Sequence, residues 1–165
     1  MIRLRQHLIF LLPAILLLAN VFVWPVVWHE TPRGILTVAF LDIGQGDAMY
    51  IEAPNGNQVL VDGGGGRQIL RALGEVMPFY DHSLDVVMAT HPDADHIGGL
   101  PSVLDRFAVG LVLEPGVESD TNIYQEFKRR VNDGLPRVAA GKAGTRLHMF
   151  ARRGLRLRLD REVTL

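Results

Sequence analysis

The residues of this 165-residue chain best suited to chemistry are His91, Asp93, Asp95 and His96, within T-H-P-D-A-D-H-I-G-G, Thr90 to Gly99. Neutral imidazole nitrogens and carboxylate oxygens are suitable ligands for zinc, manganese or iron, and one loop can turn them inward together. Gly98 and Gly99 clear side chains from beside them. Ions held by such a set lower the pKa of bound water to about 7 and so supply hydroxide at neutral pH. A plainer reading is an exposed polar loop in which Asp95 caps the helix that follows. With no cysteine in the chain, thiolate ligands and disulfides are excluded. His7, His29, His82 and His148 match no ligand spacing and read as surface or interface residues.

The elements that must position this loop follow from periodicity. After the turn-like Thr31 to Gly34, the run Ile35 to Leu41 is rich in branched and large apolar residues and predicts a strand, which D-I-G-Q-G-D then breaks. Ala48 to Glu52 resumes extended structure, Pro54, Asn55 and Gly56 turn the chain, and Gln58 to Val61 returns as a third strand. Asp62 and the glycines Gly63 to Gly66 end that strand in a segment open to positive φ. Arg67 to Met77 has helical spacing, Leu84 to Thr90 is a short apolar strand, and Gly99 to Phe107 returns to helical period with Pro101 in its first turn. Val109 to Leu113 is another strand. Asp120 is a candidate N-cap for a helix through Ile123, Phe127 and Val131, stopped by Gly134 and Pro136. Leu155, Leu157 and Leu159 alternate with Arg156 and Arg158, the pattern of a strand with one buried face. The layout is α/β, a sheet with interspersed helices, and the His/Asp loop lies directly between a strand and a helix.

The length allows one domain with its own core. Its apolar excess is concentrated at the N-terminus, where Leu8 to Trp28 carry no formal charge over 21 residues. As a helix these would span ~30 Å, about one bilayer core. Residues 1–29 are therefore expected to form a single transmembrane anchor, with Trp24 and Trp28 at the far interface. A cleaved signal peptide is the rival, since Arg3 and Arg5 precede the run, but no A-x-A-like site follows it. By the positive-inside bias the N-terminus stays cytoplasmic and the domain is extracytoplasmic. Charge is uneven: Glu30 to Glu126 holds 4 basic and 15 acidic residues, whereas Lys128 to Arg161 holds 11 basic and 2 acidic. The basic part could attract phosphate, or could be only a solvated surface.

Thr90 to Gly99 resembles the H-x-H-x-D-H signature of the metallo-β-lactamase superfamily, with Asp93 in place of the second histidine. L-D-I-G-Q-G-D at Leu41 to Asp47 and V-L-V-D-G-G at Val59 to Gly64 add to the likeness, and together the segments look like the hydrolase-like domain of the ComEC family of DNA uptake. The resemblance implies a four-layer αββα sandwich, of which residues 35–165 would be the N-terminal half. It makes His91 and Asp93 ligands of one metal, Asp95 and His96 ligands of a second, and Asp95 the catalytic residue as well. Asp62 would stand behind the ligands. Asp47 would lie beside the cleft unless its carboxylate only caps a turn, which is the reading favoured for Asp42. An anionic Asp93 should shift preference from zinc toward manganese.

The superfamily's second half contributes a further histidine, a bridging aspartate and another histidine, and no such T-G-D or H-H-G-S-like segment follows His96. The domain is thus expected to be truncated, or to be completed by a second chain. The expected function is a metal-dependent hydrolase, nuclease-like or phosphodiesterase-like and related to DNA uptake, using metal-bound hydroxide on single-stranded DNA or another phosphodiester; lactam or thioester hydrolysis is the rival chemistry on the same fold. The alternative is a membrane-anchored, non-catalytic half-domain or fragment that binds nucleic acid or a partner protein.

Overall fold

A computed structural model describes residue 11 and residues 13–24, 34–133, 137–140, 145–148 and 158–161. The chain divides into two compact units, Met1–Pro32 and Arg33–Leu165. In the first unit, residues 13–24 form a helix, α1, whose described side chains are all exposed, Phe22 and Trp24 among them. Among the described residues no helix is long and apolar enough to cross a membrane. The expected span Leu8 to Trp28 falls in part outside the described residues.

In the second unit the strands β1 (Thr37–Phe40), β2 (Met49–Glu52), β3 (Gln58–Val61), β4 (Ser83–Met88), β5 (Ala108–Glu114) and β6 (Arg137–Ala140) form one sheet in sequence order. The first three pair antiparallel and the last three join in parallel, β3 to β4 to β5 to β6. Parallel neighbours need crossovers, and helices supply them: α2 (Gln68–Val76) before β4, α3 (Ala94–Ile97) and α4 (Leu100–Arg106) before β5, and α5 (Asn122–Asp133) before β6. A separate antiparallel pair joins β7 (Thr145–His148) to β8 (Arg158–Arg161).

The helices cover one face of the sheet. Ile69 and Leu73 of α2, Leu100 and Val103 of α4, and Phe127 and Val131 of α5 are buried against Tyr50, Leu60, Val87 and Val112. These are the positions that helical spacing brings to one stripe, and each large side chain fully buried there contributes roughly 1.5–3 kcal/mol. On the opposite face Val59, Val86, Leu111 and Leu113 form a second, smaller cluster. A central strand buried on both faces reads as a continuous apolar run, seen at Val86 to Met88 in β4 and Leu111 to Leu113 in β5.

Two expectations change. Asp120 does not cap α5, which starts two residues later, where the Thr121 hydroxyl accepts the Tyr124 N–H at 3.4 Å. Asp95 does not cap a following helix either: it lies in the first turn of α3, whose N-cap is Asp93, extended at φ −79° and making no side-chain cap bond. The strand expected around Leu155 to Leu159 is described only from Arg158 onward.

Candidate metal centre

Because β3 and β4 run parallel and in register from Val59 beside Val86, their C-terminal ends deliver Asp62 and Thr90 side by side. Asp62 is 4% exposed and takes the left-handed conformation at φ 57°, alone among the described non-glycine residues. That conformation costs an ordinary residue about 1–2 kcal/mol, and a short polar side chain offsets it by bonding locally. Here Asp62 Oδ1 accepts the Thr90 N–H at 2.8 Å and Oδ2 accepts the Thr90 hydroxyl at 2.6 Å, while His96 Nδ1 lies 2.9 Å from Oδ2.

These bonds assign the histidine tautomers. The Thr90 hydroxyl has one proton; given to Asp62, it leaves the oxygen to accept from His91 Nδ1–H at 3.0 Å. Donation from His96 Nδ1 to Asp62 fixes that ring in the same way. Each imidazole is thereby left with Nε2 for another partner, and each such nitrogen faces a carboxylate. His91 Nε2 is 3.4 Å from Asp93 Oδ2 and His96 Nε2 is 3.8 Å from Asp95 Oδ2, with the ring centroids 3.6 Å apart. A lone pair facing a carboxylate is relieved by positive charge between them, either a proton or a metal ion. Two ligands ~2.1 Å from a tetrahedral ion stand ~3.4 Å apart, so the spacing of His91 and Asp93 suits a shared ion.

The electrostatics agree. Burial opposes charging His96, but the hydrogen bond to Asp62 and the negative charges of Asp62, Asp95 and Asp47 outweigh it and hold its pKa above the usual 6.5. The site thus attracts cations. In donor type and tautomer the residues fit a divalent ion. In grouping they stand as pairs, and among the described residues no three of His, Asp or Glu are gathered as an ion cage. Only His96 is fixed: its side chain is 14% exposed, against 44% for His91, 71% for Asp93 and 61% for Asp95.

Main-chain contacts bind the surrounding loops together. Gly63 N–H donates to His96 O at 2.7 Å, Gly64 N–H to Asp47 O at 3.1 Å, and Gly99 N–H to Gly64 O at 2.8 Å. Gly46, at φ +89°, lies so close to α3 that a Cβ there would sit 1.8 Å from the Asp95 carbonyl oxygen. Leu41 to Asp47, Val59 to Gly64 and Thr90 to Gly99, scattered in sequence, therefore meet along one edge of the second unit's sheet through Gly46, Asp47, Gly63, Gly64 and Asp95 to Gly99. Asp47 is exposed and meets this edge through its main-chain carbonyl and the field of its carboxylate at His96. Asp42 accepts from Gly44 N–H at 3.4 Å within its own turn. Residue spacing gave no role to Thr90, whose hydroxyl joins Asp62 to His91; the available signal was a β-branched hydroxyl directly before the first histidine. His82 lies elsewhere, its ring 6.0 Å from that of Phe107.

Comparison with known proteins gives the following. The Metallo-beta-lactamase superfamily profile matches residues 41–160. ComE operon protein 3 of Bacillus subtilis is 36% identical over 101 residues, covering 50% of this chain and 13% of that protein. Metallo-beta-lactamase SMB-1 bound to 2-mercaptoethanesulfonate is 19% identical with a TM-score of 0.46, over 67% of this chain and 46% of that one. The chemotaxis sensor ODP, as a peroxy diiron species, is 15% identical with a TM-score of 0.46, over 69% of this chain and 44% of that one. The chain therefore spans about an eighth of the curated relative's length and under half of either of these solved proteins.

Proposed function

The chain belongs to the metallo-beta-lactamase superfamily, and on that footing we propose that it forms the N-terminal part of a metal-dependent phosphodiesterase that cleaves single-stranded DNA outside the cytoplasmic membrane. The observation carrying this reading is the bond of buried Asp62 to His96 Nδ1 at 2.9 Å, which leaves Nε2 directed toward Asp95. A carboxylate behind a ligating histidine fixes ring and tautomer and raises ligand basicity.

His91 and Asp93 would hold one divalent ion, and Asp95 and His96 a second, zinc or manganese. When bound, such ions supply hydroxide at neutral pH and stabilise charge on a phosphoryl oxygen. The chain's own residues prepare the site for this. Asp62 keeps a proton on His96 Nδ1, Thr90 orients His91, and exposed Asp93 and Asp95 can swing to complete each pair. Asp47 adds negative charge that favours the cation. The choice of DNA rests on the ComEC-like motifs and on 36% identity to ComE operon protein 3. Extracytoplasmic placement rests on the uncharged run around α1, whose exposed apolar side chains suit a lipid setting, and on Arg3 and Arg5 before it.

The test is cleavage of labelled single-stranded DNA with manganese or zinc, by this chain and by the chain extended through a superfamily second half. EDTA-sensitive cleavage by either protein, lost in His91→Ala and Asp95→Asn, is the expected result; cleavage that persists in those variants or in EDTA overturns the hydrolase reading, and so does the absence of cleavage by both proteins. A second reading, a half-domain that binds without turnover, is favoured by the grouping of the described donors in pairs. It predicts ion and DNA binding by both proteins and cleavage by neither.

A further inference from the structure

On the helical side of the metal loop, a cavity of about 600 Å³ opens between the start of α2, α4 and α5. Gly98, two residues past His96, lies in its wall, so the cavity begins where the His/Asp segment ends. Its charged lining consists of Arg67, Arg106, Arg130, Asp105 and Glu126. The acids are already engaged: Arg130 bonds Asp105 and also reaches Glu126 at 2.8 Å, while Arg129 holds Glu126 at 2.9 Å. Arg67 and Arg106 are exposed and have no ion-pair partner among the described residues. Leu70, Pro101 and Ile123, with Ser102, complete the lining.

We infer that this groove is a binding subsite for the phosphodiester backbone of a nucleic-acid strand, with Arg67 and Arg106 each taking one phosphate and Leu70 and Ile123 underlying the sugars. The inference rests on the proposed reading of the metal loop as a phosphodiester site, because a strand lying on that loop would carry its flanking phosphates past Gly98. Unpaired guanidinium groups are forked donors suited to phosphate oxygens. Engaged acids do not repel a polyanion as free ones would, and Arg130 keeps both Asp105 and Glu126 occupied.

The test measures equilibrium binding of a fluorescent oligothymidylate to the full chain in EDTA, across a salt series, so that neither metal nor cleavage enters. Loss of two phosphate contacts in Arg67→Gln/Arg106→Gln should weaken binding roughly tenfold near 0.1 M salt and reduce the salt slope by about 1.4. Asp105→Asn, which removes one of the two acids on Arg130 and one negative charge from the lining, should tighten binding. An unchanged affinity and slope in the double variant overturns the subsite, as does an original chain that does not bind. So does a double variant that loses affinity only for phosphatidylglycerol vesicles, since the groove then reads a membrane. Metal-dependent cleavage with an unaffected double variant removes the groove and spares the hydrolase; groove-dependent binding with no cleavage does the reverse.

Discussion

Asp62 Oδ2 lies 2.9 Å from His96 Nδ1, and this contact ties the end of one strand to the helix that follows the next. It joins a 4% exposed carboxylate in a left-handed backbone conformation to the one histidine of the His/Asp loop that is mostly buried.

Asp62→Asn should separate the electrostatic role of this carboxylate from its shape. Asparagine tolerates φ 57°, but it lacks the charge that holds the proton on His96 Nδ1. Manganese and zinc affinity should fall about 10–100-fold, and stability by about 1–3 kcal/mol. Asp62→Ala should lose about 1 kcal/mol more, because it also meets the left-handed strain. Calorimetric metal titration and urea unfolding check both, and equal stability of the two variants would contradict the strain.

Asp93→His restores the second histidine of the superfamily pattern at a side chain that is 71% exposed, so the fold should not respond. The ratio of zinc to manganese affinity should rise roughly tenfold or more, because imidazole is the softer ligand. Competition titration of both ions reads the ratio directly. A ratio that stays level would mean that Asp93 does not touch the ion.

Gly46→Ala and Gly99→Ala should each destabilise by about 3 kcal/mol or more, for the new methyl groups would lie 1.8 Å and 2.1 Å from backbone oxygens of Asp95 and Gly63. Gly74→Ala is the contrasting change. It sits within α2 with nothing within 4 Å of the added carbon, and should stabilise by about 0.5–1 kcal/mol. Melting temperatures of the three variants should move in these opposite directions.

Lys128 donates to Glu114 at 2.7 Å, and this bond, with the neighbouring negative charges, holds the ammonium pKa above 10.5 against the opposing effect of burial. A folded-state pKa above the unfolded one means that the contribution is complete below about pH 10.5 and lost as pH rises through the folded value. Lys128→Met should cost roughly 2–3 kcal/mol at neutral pH, leaving the 8% exposed Glu114 without its cation. It should also flatten the decline of stability above about pH 10 in urea titrations.

The turn at Pro54, Asn55 and Gly56 located β2 and β3, and helical spacing of apolar residues located α2 and α4, each to within a residue or two. Periodicity gave no sign of β6, whose R-V-A-A is short and leaves Val138 48% exposed; that strand exists through pairing with β5. Four-residue α3 is likewise too short to show a period. The donors His91, Asp93, Asp95 and His96 were legible because they are adjacent in sequence. Their division into two pairs came from the family resemblance and not from spacing, and the ring orientations beneath it, set by Thr90 and by Asp62, 28 residues away, left no mark in the sequence. The segment Asp62 to Gly66 was legible as open to positive φ, but not that Asp62 itself takes that conformation beside Gly64.

The edge that carries the donors is held by amide-to-carbonyl bonds and by the close approach of glycines: Gly63 to His96, Gly64 to Asp47, Gly99 to Gly64, Gly46 against Asp95. None of those contacts uses an imidazole or a carboxylate. Mutation can therefore exchange an exposed donor such as Asp93, which stands where the superfamily pattern has histidine, while the scaffold keeps its shape. Inheritance of the frame and variation of its chemistry are separate matters here, and selection can tune the second without first having to rescue the first.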